Sequence, residues 1–98
     1  MSGAWDEILR HGRPVRELRD VAPGDVVFLE NADASLMVAY RAGKVRRENG
    51  VTFLWVANRF GRNQINMYAL GAPGSEMRFA GALRPAVDRR EAARWQGI

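Results

Sequence analysis

The hydrophobic pattern is clearest over residues 36–58, where two β-branched and aromatic runs flank Asn49 and Gly50. Asn-Gly between apolar runs is a strong hairpin signal, because both residues tolerate the positive φ angles of a type I′ turn. With these two residues as the loop, Glu48 faces Val51, and the pairing continues outward along both strands. The pattern therefore predicts a β-hairpin, around which we expect the rest of the chain to fold.

This register assigns the hairpin side chains to two faces, because successive residues of a strand alternate. One face is apolar and is predicted to be core: Val45, Thr52, Leu54 and Val56. On the other face Lys44 lies opposite Trp55. Arg46 lies opposite Phe53 on that same face, and each cation–aromatic pair is worth about 0.5–1 kcal/mol when exposed. Gly43 in the first strand predicts a bulge or bend.

Successive short strands joined by turns predict antiparallel pairing, since no long helical crossover separates them. We expect a mainly β fold over residues 26–84, with about five antiparallel strands in meander order forming a small SH3-like or partly open barrel. The expected strands are residues 26–30, 36–47, 51–57, 65–70 and 77–83. Two stretches, Pro23-Gly24-Asp25-Val26-Val27 and Gly43-Lys44-Val45, resemble the strand entry and the bent strand of SH3-like barrels. We assign no family on that resemblance.

The connections are predicted from their turn residues. Pro23 and Gly24 favour a type II turn. Residues 13–21 fit an irregular or 3-10 helix and equally a short edge strand, whereas residues 58–64 are predicted to be a loop. In the last strand alternation places one set inward and the other outward. The inward set is Met77, Phe79, Gly81 and Leu83, and the outward set is Arg78, Ala80, Ala82 and Arg84.

Short helices are predicted to flank the sheet. The helix over residues 2–11 has an apolar stripe at i, i+3, i+4 spacing and Gly12 as its stop. The stripe of this first helix consists of Trp5, Ile8 and Leu9. In the helix over residues 87–96, Asp88 and Glu91 form a capping-box-like pair near the start.

Composition sets the broad class. The 98 residues are 47% hydrophobic and 27% charged, which is ordinary for one globular domain and predicts a single domain over residues 1–98. The chain has no cysteine, which excludes disulfides and thiolate metal sites. No apolar run approaches the roughly 18–20 residues needed to cross a bilayer. With no apolar leader near the N-terminus, we expect a cytoplasmic protein without membrane partners.

The net charge of +4 suggests an anionic partner. Lys44 is the only lysine among 15 Lys and Arg residues, and arginine suits phosphates and base edges because its planar fork donates two hydrogen bonds. A G+C-rich coding sequence explains the same arginine bias without any ligand.

Catalytic signals are sparse. His11 is the only histidine, and the carboxylates are scattered without a paired motif. The chain contains no P-loop, no Gly-x-Ser-x-Gly and no His-Glu-x-x-His sequence. We therefore expect a non-enzymatic protein without metal or cofactor, with a nuclease site built from distant arginines as the open alternative.

Nucleic-acid binding is the function that the sequence favours. Small β-barrels bind single strands by stacking bases on aromatic rings while Arg and Lys follow the phosphates. We expect Arg59 and Arg62 to contact phosphates and Phe60 to stack. The full candidate set is Lys44, Arg46, Trp55, Arg59, Phe60 and Arg62.

Two alternatives compete with this hypothesis. Phe53 and Trp55 could be buried under the terminal helices rather than exposed. The chain could also be a protein–protein interaction module that docks on an acidic protein surface, because Trp, Tyr and Arg dominate interface hot spots. An accessory subunit or a phage or mobile-element protein that blocks a host complex would fit that description.

Overall fold

Antiparallel strands dominate the computed structural model, which describes residues 4–58 and 61–85; the side chains of residues 4–7, 58 and 61–64 are outside that description. The elements of this part of the chain are a helix α1 (Ala4–His11), β1 (Arg13–Val15), a 3-10 helix (Leu18–Asp20), β2 (Val26–Asn31), β3 (Met37–Glu48), β4 (Val51–Asn58), β5 (Gly61–Leu70) and β6 (Met77–Arg84). The predicted helix over residues 87–96 lies outside the described residues.

The six strands form one sheet in the order β1-β6-β2-β3-β4-β5, and every neighbouring pair is antiparallel. The mainly antiparallel β class is confirmed, and β2 to β5 follow one another as in a meander. β6 departs from that order because it returns to pair with both β2 and β1. The sheet is not closed into a barrel: β1 lies at one edge and β5 at the other.

The central hairpin has the predicted register. Glu48 pairs with Val51, Arg46 with Phe53 and Val45 with Leu54. Asn49 and Gly50 have φ angles of 53° and 78°, as a type I′ turn requires. The ladder shifts between Ala42 and Val45, so Gly43 and Lys44 together face Trp55, which is the bulge that Gly43 predicts.

The main core lies on one face of the sheet. Its largest fully buried members are Leu29, Leu54, Leu70, Val27 and Val56. Tyr40 and Tyr68 meet at the margin of this core, where their hydroxyls are 2.9 Å apart and their ring centroids 5.6 Å apart. The predicted inward set of the hairpin, Val45, Thr52, Leu54 and Val56, is buried or half-buried.

Helix α1 ends against β6. At Gly12 the amide donates to the carbonyl of Ile8 at 2.8 Å, and a Cβ there would lie 2.5 Å from that same backbone oxygen and 3.1 Å from the Leu83 Cβ. The approach to the Ile8 oxygen favours glycine at this position. Ile8 is buried, but Leu9 is exposed, so the predicted apolar stripe is only partly buried; the side chain of Trp5 is outside the described residues.

In strand β6 the inward and outward faces differ from the predicted alternation. The β2–β6 ladder shifts between Phe28 and Leu29, so an extra residue enters β6 near Gly81, whose φ is 138°. The bulge reverses the faces beyond it: Ala82 is buried in the main core, whereas Leu83 is not part of it. The predictions that Leu83 points inward and Ala82 outward were wrong for this reason.

Two connections also differ from the prediction. Residues 61–64 belong to β5 rather than to a loop, since Asn58 already pairs with Gly61. Residues 13–21 contain both of the predicted alternatives, with β1 first and the 3-10 helix after it. The turn at Gly24 is as predicted, with φ 96° and a hydrogen bond from the Asp25 amide to the Ala22 carbonyl.

Candidate nucleic-acid interface

The face of the β3–β4 hairpin opposite the core carries the candidate site. We call this surface the hairpin outer face and define it by Lys44, Arg46, Phe53 and Trp55. Residues of β5 extend it, because Met67 pairs directly with Trp55 and directly paired residues share a face. The register fixed by the Asn-Gly turn therefore brings together four residues from two strands.

Each cation on this surface lies over a ring. The Lys44 Nζ is 5.6 Å from the centroid of Trp55, and the Arg46 Cζ is 4.9 Å from the centroid of Phe53. Both distances are within the range of about 6 Å in which a cation is attracted to the ring quadrupole. The predicted cation–aromatic pairs are thus present.

The rings and cations differ in exposure. Lys44 and Arg46 are exposed, whereas Phe53 and Trp55 are half-buried. The alternative that the terminal helices cover these rings stays a prediction, since the helix expected over residues 87–96 lies outside the described residues. One face of each ring is nevertheless occupied by its cation, so the surface presents positive charge rather than bare aromatic planes.

A carboxylate moderates this charge. The Arg46 Nε lies 3.7 Å from a carboxylate oxygen of Glu48, and both side chains are more than half exposed. An exposed ion pair of this length contributes little stability, about 0–1 kcal/mol. Arg46 can therefore exchange Glu48 for another anion at small cost.

Three predicted site residues lie wholly or partly outside the described residues. Arg59 and Phe60 lie outside the described residues. Arg62 is part of strand β5, but its side chain is outside the description. The structure therefore brings together Lys44, Arg46 and Trp55 from the predicted set. Phe53, which was predicted as a ring partner but not as a contact residue, belongs with them.

Other arginines are structural. The Arg47 Nη2 donates to the carbonyls of Leu18 and Val21, at 3.0 Å each, which joins the end of β3 to the 3-10 helix. The Arg41 Nε donates to the Gly24 carbonyl. For Arg47 the sequence contains one signal of a structural role, its position in the strand. It follows Arg46 directly, so alternation places it on the core side of the hairpin. Part of the positive charge is thus used inside the fold.

Neither a family model, nor a curated protein, nor a solved structure matches the chain. Across residues 4–58 and 61–85, no group of three or more His, Cys, Asp or Glu side chains could hold a metal ion. No helix in the same ranges combines the length and apolar character that crossing a membrane requires.

Proposed function

We propose that this chain is a non-enzymatic nucleic-acid-binding protein that contacts the phosphate backbone through the hairpin outer face. The observation that carries the proposal is the pair of cations held over rings, Lys44 over Trp55 and Arg46 over Phe53. A cation held over a ring has lost part of its rotamer freedom before it meets a ligand. Less ordering entropy then opposes binding.

The geometry favours phosphate contacts over base stacking on this surface. Stacking a base on Trp55 or Phe53 would require displacement of the cation that covers the ring. Phosphate oxygens can instead approach Lys44 and Arg46 from solvent while both cation–ring contacts persist. The proposal therefore predicts weak dependence on base sequence, with Arg59, Arg62 and a stacking Phe60 as further contributors on sequence grounds.

The test is a fluorescence-anisotropy titration of labelled single-stranded DNA, RNA and duplex DNA over a salt series starting near 50 mM. The test variant is Lys44→Gln with Arg46→Gln. The matched control is Arg10→Gln with Arg78→Gln, because those exposed arginines lie in α1 and β6 and their loss changes the net charge by the same amount.

We expect the hairpin variant to bind more weakly and to show a smaller salt slope. Each lost phosphate contact removes about 0.7–0.9 from the slope of log K against log salt, so the double variant should lose about 1.5. The control should keep the wild-type slope. An equal loss in both variants would mean that only net charge matters, and absence of binding at the lowest salt would refute the proposal.

A protein partner is the second candidate, and the exposed residues of β5 favour it. Ile65 and Met67 are each nearly half exposed, on a strand that forms an edge of the sheet. Edge strands offer unpaired backbone groups to an incoming strand. Binding through this edge would persist in high salt and would be lost in Met67→Lys, which the phosphate-directed proposal does not predict.

A further inference from the structure

A second basic site lies at the other end of the sheet, where β1, β6 and β2 lie side by side. Arg13 of β1 pairs directly with Arg84 of β6, and Asp25 immediately precedes β2. These residues line or adjoin a groove of about 370 Å³, a volume within the range of small-ligand sites. The groove is lined by Arg13, Pro14, Val15, Arg16, Asp20 and Arg84.

Arg84 is held rigidly in this groove. Its Nε and Nη2 donate to the two carboxylate oxygens of Asp25, at 3.0 Å each, and Nη2 also donates to the Asp20 carbonyl at 2.6 Å. The hydrogen bonds to Asp25 raise the pKa of Arg84 above its ordinary value. The third nitrogen, Nη1, donates to no atom within the described ranges, so a positioned donor is available.

Arg13 lies directly opposite another arginine of the sheet. Like charges directly opposite each other in an antiparallel pair are destabilising, and Arg13 faces Arg84 in this way. Neither Arg13 nor Arg16 makes an ion pair or side-chain hydrogen bond with a residue that the structure describes, and both are exposed. The groove and its margin thus carry three guanidinium groups and two carboxylates, and one of the carboxylates, Asp25, is already bound by Arg84.

We propose that this groove binds a phosphate group in its dianionic form, as in a phosphomonoester. Arg13 and Arg16 would donate to its oxygens, and Arg84 would contribute Nη1. Arginine suits this role because its fork matches phosphate geometry and gives charge-assisted hydrogen bonds. A dianion between Arg13 and Arg84 would also offset their mutual repulsion. The site is separate from the hairpin outer face and does not depend on the function proposed for that surface.

Isothermal titration calorimetry with inorganic phosphate and with a nucleoside 5′-monophosphate tests the proposal. We expect saturable binding of both, and at least tenfold weaker binding in Arg13→Gln. Asp20→Asn should bind more tightly, because it removes an opposing carboxylate and keeps the backbone carbonyl that holds Arg84. Arg19→Gln, an exposed arginine of the adjacent 3-10 helix that does not line the groove, should bind as the wild type does.

Stability gives a second readout that does not rely on affinity. In chloride buffer Arg13→Gln should unfold at the same or a higher temperature than the wild type, since it removes a repulsion. Added phosphate should then raise the unfolding temperature of the wild type more than that of Arg13→Gln. A purely structural role for Arg13 predicts the opposite order in chloride.

Two sources of the phosphate group can be separated by comparing an oligonucleotide carrying a 5′-terminal phosphate with the same oligonucleotide ending in a hydroxyl. Preference for the phosphorylated end assigns the site to nucleic-acid termini. Equal binding of the two, with the mononucleotide still bound, assigns it to small phosphomonoesters. No saturable heat with phosphate or mononucleotide, or an equal loss in Arg13→Gln and Arg19→Gln, overturns the proposal.

Discussion

Replacing Arg84 with Met removes the partner of a buried carboxylate. The Asp25 side chain is 2% exposed and accepts two hydrogen bonds from Arg84 and one from the Ala22 amide at 2.9 Å. In Arg84→Met only the amide remains. Removing one partner of a fully buried ion pair costs about 3–5 kcal/mol. Because the Arg84 side chain is 33% exposed, water can partly replace it, and we expect a cost of about 2–3 kcal/mol.

The assay is urea and thermal unfolding followed by circular dichroism. A cost of this size lowers the unfolding temperature of a chain of this length by about 10–20 °C. Arg78→Met is the matched control: the Arg78 Nε lies 2.9 Å from a Glu30 oxygen, but the side chains are 58% and 21% exposed. We expect that control to cost less than about 1 kcal/mol. Equal losses in the two variants would refute the argument that burial, rather than distance, sets the value of these ion pairs.

Two further predictions concern Tyr68 and the central turn. The pKa of Tyr68 is raised to about 12, first by burial and then by the hydrogen bond with Tyr40. The native state therefore keeps a proton that the unfolded state, with a tyrosine pKa of about 10, has lost, and the free energy of unfolding falls as the pH rises from about 10 to about 12. In Tyr40→Phe, where Tyr68 is the remaining tyrosine, ultraviolet titration should give a pKa below that of the wild type and above about 10; a value at the ordinary pKa would show that burial is not the main cause. Gly50→Ala should lower the free energy of unfolding by about 1–2 kcal/mol, because Gly50 has a φ of 78° that an L side chain disfavours; urea unfolding indistinguishable from that of the wild type would contradict this.

The hairpin could be predicted down to its register because two residues determine it. Asn49 and Gly50 fix the turn, the turn fixes which residues face each other, and the pairing fixes the faces. The two cation–ring pairs of the candidate site follow from the same local signal. Sequence was sufficient here because all the interacting residues lie within one short stretch.

Strand β6 could not be predicted in the same way. A glycine inside the strand, Gly81, is a local signal for a bulge, but the side on which the extra residue enters depends on how β6 pairs with β2, a contact between distant parts of the chain. The polar start of β5 suggested a loop, but an edge strand tolerates polar residues because water solvates its exposed side. The meeting of Arg13 with Arg84 is likewise a product of the sheet order, and no spacing in the sequence indicates it.

The position of β6 between β1 and β2 has a consequence for synthesis of the chain. β2 to β5 can associate while the protein is still emerging from the ribosome, but one side of β2 then has no neighbour until residues 77–84 appear. β1 must wait for the same segment, since among the described strands it pairs with β6 alone. Closing so long a loop carries an entropic cost that slows folding. A nascent chain halted before residue 77 would expose the backbone hydrogen-bonding groups along one side of β2 to other chains. Pairing of β6 with β2 is therefore the step that protects the incomplete chain from aggregation.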